Sequence, residues 1–499
     1  MRKYLVVLIA ALAVVAFSMP VPAMATDINA GGFYRAFFTM SNFHDGSGGP
    51  SLRDGEQEAE QSNGYVAQRF RVKWTFGSEN VKATWYLESD MNWGDSAGST
   101  DAAAMRNRGG ALGGDKVQTE TKQINVWFKI PDTSVSAKVG LQGIGDSYKS
   151  VFGATNDMAG VTIKGKYEPV SYRLVWAKLY ENQYRYSDDS TLYMAEAKFS
   201  PTKESKLGIN FYYLQDDTGA SFANTGDPSH IGSRLRPGST GDVTSPYANA
   251  FTGRKLSLYI PGIDGSMKAG PVKISGFFFY EFGTAEGISA GTPDLDVRGF
   301  AVNLRGDMKV GPGKVFLAGL YLSGDDNQSD DKYDSIITLG DYQSNASPGG
   351  YEGYNKMHMV MLTPTWNMAS ISQCFIGCSG GYAGDSLGNG GRGVWMVGAG
   401  YSQKFTDSLK GELNVAHLEA TELYDIDEAI GRDENMGTEV NATVTVNVQK
   451  GLDISLTGGY AWVGDFMRID DYDAALTPGT PTDTFKDAWT TYVRVGYKY

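Results

Sequence analysis

The chain ends on Trp489-Thr490-Thr491-Tyr492-Val493-Arg494-Val495-Gly496-Tyr497-Lys498-Tyr499, "WTTYVRVGYKY". Counting back from the last residue in steps of two collects Tyr499, Tyr497, Val495, Val493, Thr491 and Trp489. The intervening set is Lys498, Gly496, Arg494, Tyr492 and Thr490. Side chains of a strand alternate between its two faces. The segment therefore reads as a strand with one apolar face, aromatic at both ends, and one face bearing two cations. Such a strand suits a soluble core as well as a membrane, and the rest of the sequence decides between them.

The same pattern recurs along the chain. Phe70, Val72, Trp74 and Phe76 alternate with Arg69, Arg71, Lys73 and Thr75, and the short turn "GSEN" leads to Val81, Ala83, Trp85 and Leu87. Val440, Ala442, Val444, Val446 and Val448 alternate with polar residues, and after Lys450-Gly451 the partner segment carries Leu452, Ile454, Leu456, Tyr460 and Trp462. These are hairpins with one apolar and one polar face. Short turns at 131–134, 168–170, 200–205 and 406–408 alternate with long polar stretches at 41–63, 92–116, 143–159, 215–253, 323–353, 421–437 and 464–486. Loop lengths sorted in this way are the pattern of a transmembrane antiparallel β-barrel with short periplasmic turns and long extracellular loops. A soluble sandwich has no reason to sort them. About 18 strands are counted, within a range of 16–20. A further hairpin near 355–379 would make about twenty, and without it 323–393 is one long excursion over the surface.

Composition agrees. Mean hydropathy is −0.30, and no later stretch offers the eighteen apolar residues of a membrane helix. A barrel hides its membrane signal because alternate residues face its lumen. The 63 Gly and 29 Tyr suit tight turns and interfacial aromatics. Residues 1–25 read as a cleaved signal peptide: Arg2 and Lys3, an apolar run from Leu5 to Phe17, then Ala23-Met24-Ala25. The alternative is an inner-membrane anchor. Cleavage moves the net charge from −13 to −15, because two bases and no acid are lost. Residues 26–499 then form a single barrel domain, with no linker or composition shift to divide it.

The stretches "AQRFRVKWTFGSENVKATWYLE" (67–88), "KVGLQGIG" (138–145) and "FGATNDMAGV" (152–161) resemble the outer-membrane homotrimeric porins of sulfate-reducing-type bacteria, as does the C-terminus. Resemblance is best over 28–181. It implies a water-filled trimeric diffusion channel in a Gram-negative outer membrane. The expected partners are outer-membrane lipid and lipopolysaccharide, small hydrophilic solutes and ions, and further copies of the chain, with no nucleic acid. Outer-membrane barrels of this kind commonly end on Phe, and Tyr499 departs mildly from that.

Function is expected in the lining. Arg69, Arg71 and Lys73 share one strand face, and Arg35 and Lys82 lie on the polar faces of its neighbours. Like charges stacked on one sheet face repel. They form either an ordinary solvated face or a cationic wall in a narrow pore. The resemblance implies that the loop after the fifth strand, "GIGDSYKSVFGATNDMAG" (143–160), folds inward and narrows the lumen; the alternative is an ordinary outside loop. Folded in, it sets Asp146 and Asp157 against the wall, giving a field across the constriction. Inward residues number more bases (Lys129, Lys138, Lys164, Lys166, Arg173, Arg305, Arg494, Lys498) than acids (Glu88, Glu196, Glu412, Glu439, Asp453). A weak anion preference follows, since outer loop acids are screened over roughly 8–10 Å.

Acids crowd into 323–334, 422–435 and 468–473. These read as solvated loops rather than Ca²⁺ sites, because "DDNQSDDKYD" lacks the Gly and final Glu of an EF-hand loop. Cys374 and Cys378 are the only cysteines and are expected to form a small-loop disulfide in an oxidising compartment. No metal and no cofactor are expected. Enzymes are the rival class, but His44, His230, His358 and His417 sit in no catalytic motif, and a barrel hydrolase needs a base. A third reading, a barrel sheathing an electron-carrying protein, needs a wide lumen without an inward loop.

Overall fold

The computed structural model describes residues 27–43, 63–96, 109–114, 116–181, 184, 187–218, 254–287, 293–327, 330–342, 353–363, 374–376, 386–429, 431–467 and 487–499. The expected signal peptide lies outside them. So do Cys378, the acids at 468–473 and most of the stretches 41–63 and 215–253.

Nineteen strands are described: β1 (Asp27–Ser41), β2 (Asn63–Gly77), β3 (Val81–Asn92), β4 (Thr119–Lys129), β5 (Ser136–Ile144), β6 (Asn156–Tyr167), β7 (Val170–Tyr180), β8 (Ser190–Thr202), β9 (Ser205–Asp216), β10 (Arg254–Ala269), β11 (Val272–Gly287), β12 (Leu295–Val310), β13 (Gly313–Leu322), β14 (Lys332–Tyr333), β15 (Val394–Lys404), β16 (Leu409–Ala420), β17 (Asn435–Gln449), β18 (Leu452–Val463) and β19 (Ala488–Lys498). All but β14 pair antiparallel with their neighbours in sequence, β13 pairing with β15. The two-residue β14 adds only a parallel bridge to β12. β19 returns to β1, with Tyr34 opposite Tyr497 and Phe38 opposite Val493. The result is a closed barrel of eighteen long strands, and closure leaves no sheet edge unpaired.

The alternation in "WTTYVRVGYKY" decides which side is which. Val493, Tyr497 and Tyr499 are exposed, while Tyr492 is buried against Phe37 inside, ring centroids 5.7 Å apart. Every wall sector repeats this. Trp85, Ile124, Val139, Phe211, Ile263, Phe278, Leu304, Leu317, Leu413, Val444 and Leu456 all stand exposed on the outer face. Leaving them in water costs about 25 cal/mol per Å² of apolar surface. The outer face is therefore built for lipid or for protein.

Eight connections are short: 78–80, 130–135, 168–169, 203–204, 270–271, 311–312, 405–408 and 450–451. They share one end of the barrel with the start of β1 and the end of β19, since Asp27 lies opposite Gly77 and Lys498 beside Gly451. The long connections gather at the other end. One expectation is corrected here. The described residues 335–342, 353–363, 374–376 and 386–393 of the 323–393 excursion do not run over the surface. They are folded into the barrel, where Ile336, Ile337, Tyr354, Met357, Met361, Leu362, Phe375 and Leu387 are all at most 1% exposed, while Asp326 stays exposed.

The loop lengths predict that the short-turn end faces the periplasm. With a maleimide that cannot cross the outer membrane, Asp326→Cys should be labelled in intact cells and Asp132→Cys only after lysis. The reverse pattern inverts the orientation.

Candidate functional site: the lumen, its charged wall and two inward segments

On β1 the inward side chains are the odd-numbered ones. Register carries this parity around the wall: Arg35 faces Arg69, which faces Asp90, and Arg71 faces Glu88. Lys73, Lys82, Lys138, Lys164, Arg494 and Lys498 follow on the same inner face of β2, β3, β5, β6 and β19. Arg35, Arg69, Arg71, Lys73 and Lys82 thus all line one sector of the lumen. Their surroundings divide them.

The two β2 arginines are held by β3. Arg69 donates to both Asp90 oxygens, at 2.8 and 2.6 Å, and its Nε lies 3.2 Å from Glu88. Arg71 Nε donates to Glu88. From β4, Lys122 reaches Asp157 (3.1 Å), Glu120 (3.3 Å) and Glu88 (3.8 Å). Three cations here meet four carboxylates. The lysines nearer the short-turn end differ. Among the described residues Lys73, Lys82, Lys138 and Lys164 make no ion pair. Lys82 lies only over the Trp127 ring, at 5.9 Å, and Lys138 feels both Lys73 and Lys164. Phe33 is interleaved with this wall, beneath Arg35 at 4.4 Å and Arg71 at 5.5 Å.

Asp90, Glu120 and Lys122 escaped the sequence reading, yet a signal for Asp90 existed. Counting back from the turn at 78–80 sets Arg71 opposite Glu88 and Arg69 opposite Asp90.

The β5–β6 connection, 145–155, folds into the lumen. Tyr148 is fully buried among Tyr212, Phe277 and Phe279, with centroids 5.1, 5.6 and 4.7 Å away. Gly262 on β10 makes room for it: a Cβ there would stand 2.5 Å from the Tyr148 hydroxyl. Lys149, with φ of 58°, extends to the far wall and donates to Asn303 at 2.6 Å. Burial, then Arg305 and Lys356, push its ammonium down to about 8.

Asp146 and Asp157 do not take the places expected for acids facing the ladder. Asp146 accepts backbone N–H bonds from Tyr148, Ser150 and Gly153 at 2.8–2.9 Å. Both oxygens staple the loop, and burial pushes its pKa up to about 6. Asp157 belongs to β6 rather than the loop. It binds Gln123 (2.9 Å) and Lys122, so it neutralises the charged wall from within.

The second inward segment sequence reading missed altogether. Glu439 of β17, 0% exposed, accepts three consecutive backbone N–H bonds, from Val360, Met361 and Leu362, at 2.8–2.9 Å. Asn441 donates to Glu439 at 2.7 Å and to the His358 carbonyl at 3.0 Å. Gly459 admits this segment, since a Cβ there would meet Val360 at 2.8 Å. The two inward segments also bond each other: Leu339 donates to the Phe152 carbonyl (2.8 Å) and Gly353 to that of Ser150 (3.0 Å). Together they fill the lumen along β8–β18. The β19 and β1–β6 side keeps Lys73, Lys82 and Lys164 exposed to solvent.

At the long-loop end Arg392 and Arg432 clasp Asp427, Arg392 at 2.6 and 2.8 Å and Arg432 at 2.8 Å. These arginines hold the Asp427 pKa below the usual carboxylate range, against burial. Asp325, Asp326 and Asp334 draw within 4.8 Å of one another, with Asp325 accepting the Asp334 backbone N–H at 3.4 Å. Cys374 is buried and disulfide-bonded.

No family model and no curated protein matches the chain. Among solved structures it is similar to OccK1 (OpdK) of Pseudomonas aeruginosa, with a TM-score of 0.50 and 10% identity over 95% of this chain and 98% of that one. The BenF-like porin of Pseudomonas fluorescens Pf-5 gives the same values. OpdL of Pseudomonas aeruginosa gives 0.50 and 10% over 95% and 99%. The fold is that of these porins.

Hydrogen bonds to a charged group are worth about 1.5–3 kcal/mol each, and Glu439 makes three to one segment. Glu439→Ala should release that segment while the barrel stays closed. Single-channel recording should show larger, noisier conductance, and limited proteolysis should cut within 353–363, which the wild type protects.

Proposed function

We propose that the chain is an outer-membrane porin: a passive, water-filled channel for small hydrophilic solutes with a weak preference for anions. The observation that carries this reading is the inversion of the barrel. An apolar exterior encloses a lumen whose unfilled side is lined by exposed lysines, a surface that only water and polar solutes match. The known porins of this fold support it, and one of them, OpdK, is described with vanillate. The two inward segments occupy the space that a sheathed protein partner would need, which disfavours that reading.

The anion preference rests on Lys73, Lys82, Lys138 and Lys164. Charges lining a narrow water column between low-dielectric walls act on permeating ions more strongly than screened loop acids do. Under a salt gradient the zero-current potential of the wild type should show anion preference. Lys73→Gln/Lys138→Gln should move it toward cations. Wild-type cation preference with an unmoved double variant sinks this assignment.

Trimeric assembly, as in the sulfate-reducing-type porins that the sequence resembles, belongs to the same proposal. The outer face of β1–β4 supports it. By alternation Gln68 faces outward, accepting from Tyr34 (3.0 Å) and Trp93 (3.1 Å). Ser89 and Thr119 meet at 2.6 Å, and Trp85 donates to Thr121 at 3.3 Å. Polar groups are costly against lipid and cheap against protein. A groove of about 500 Å³ adjoins them, lined by Phe38, Met40, Val66, Leu456 and Val493 among others. The detergent-solubilised protein should have the mass of three chains. A monomeric mass across a range of concentrations removes the trimer and leaves the channel reading intact.

A further inference from the structure

Arg69 and Arg71 stand where a permeating anion would meet them, yet both are occupied by their own strand neighbour. Glu88 is 1% exposed. Its Oε2 lies 3.2 Å from Arg69 Nε and also accepts from Arg71, while its Oε1 lies 3.8 Å from Lys122 Nζ. One carboxylate thus faces three cations drawn from β2 and β4. Asp90 holds Arg69 in the same mesh, and Glu120 and Asp157 hold Lys122 from the other side. Glu88 is its centre.

We propose that Glu88 sets how much of the wall's positive charge the lumen displays: it is a built-in counter-anion, filling the position that a permeating anion would otherwise take beside Arg69, Arg71 and Lys122. A carboxylate tethered to the wall competes at an effective concentration that free solutes do not reach. While it is charged, the arginines contribute little field to the water column, and the lysines closer to the periplasm supply the selectivity. The inference rests on the reading of the lumen as an aqueous channel, but not on the sign of its preference.

The removal of this one charge is instructive because the wall does not depend on it alone. In Glu88→Gln the amide keeps the size of the side chain. Asp90 still holds Arg69 by two hydrogen bonds, and Lys122 keeps Glu120 and Asp157. Three cations lose their common counter-charge in place. By contrast, Arg69→Ala/Arg71→Ala would leave Glu88 and Asp90 without their arginines, turning that stretch of wall acidic. Any loss of anion preference in that double variant would therefore overstate what the arginines do in the wild type.

The experiment is the zero-current potential of the purified full-length channel in planar bilayers under a potassium chloride gradient. Folding is checked by heat-modifiable migration. Glu88→Gln should raise the chloride-to-potassium permeability ratio about threefold or more over the wild type, as expected where low-dielectric walls focus an uncompensated charge. Asp90→Asn, which frees one cation in part, should shift it in the same direction by less. Glu88→Asp, which keeps the charge, should stay near the wild type, an outcome that a purely structural role would not separate from Glu88→Gln. If Glu88→Gln folds and its ratio matches the wild type, or if Glu88→Asp shifts as far as Glu88→Gln, the proposal is overturned. Should Glu88→Gln fail to fold, Asp90→Asn decides, and an unmoved ratio there overturns it equally. A wild type that forms no channel removes the porin reading itself, whereas a conducting wild type with an unmoved Glu88→Gln removes only this inference.

Discussion

The pairing of β19 with β1 is the contact on which everything else depends. Lipid offers no hydrogen bond to an open strand edge, where each unpaired group costs several kcal/mol. The chain therefore has to return its last strand to its first. Phe33 to Ser41 of β1 lie opposite Thr490 to Lys498 of β19, and the bond between Gly32 and Tyr499 continues the ladder to the last residue. Period-two alternation then ceases to be a local preference and becomes a global one. In a closed barrel a one-residue slip at any strand would put arginines in lipid and aromatics in the lumen.

Closure at eighteen strands creates a second problem. Barrel diameter grows roughly linearly with strand number, so side chains alone cannot fill the interior. The two inward segments supply the missing volume, and buried carboxylates hold them. Glu439 binds one segment to β17. Asp146 folds the other upon itself. Glu196 of β8, bonded to Arg173, Tyr212 and Ser147 at 2.6–2.8 Å, ties that loop to the neighbouring wall of β7–β9. Glu439 and Asp146 sit where backbone amides converge, which is how irregular chain becomes tolerable at this depth. The aromatic pocket around Tyr148 adds apolar contact to the polar clasp.

The strands were legible in the sequence because alternation is local, and eighteen is the number found. The apolar and polar sets of "WTTYVRVGYKY" fall outside and inside as read. The destination of 323–393 was not legible, because it carries no period of its own. Its burial is decided by Glu439 and Asn441, which lie far along the chain and look like ordinary inward polar residues. The candidate site was half legible. Parity alone places Arg69, Arg71 and Lys73 in the lumen. Whether a lumenal charge is free or spent depends on cross-strand register, which two hairpin turns and the bulge between β3 and β4 set. Asp146 misled for a related reason. A loop carboxylate reads as a charge facing water, but here its oxygens are used up by the backbone amides of its own turn.

The charge of the lumen therefore has to be read level by level rather than as a sum. Toward the long-loop end of β2–β4 the wall is a mesh of arginine, lysine and carboxylate, held by direct contacts with little net charge. Toward the short-turn end, the same strands and their neighbours present Lys73, Lys82, Lys138 and Lys164 with no acid opposite. Among the described acids of the long connections, Asp326 is exposed to water that screens it within a Debye length, whereas Asp325 and Asp427 are buried. Along β2–β6 the wall thus passes from a compensated mesh to bare lysines, although the whole chain carries a net charge of −13. The profile follows from where each acid lies relative to its nearest cation. Glu88 and Asp90, two residues apart on β3, hold the boundary between the compensated middle and the bare lysines.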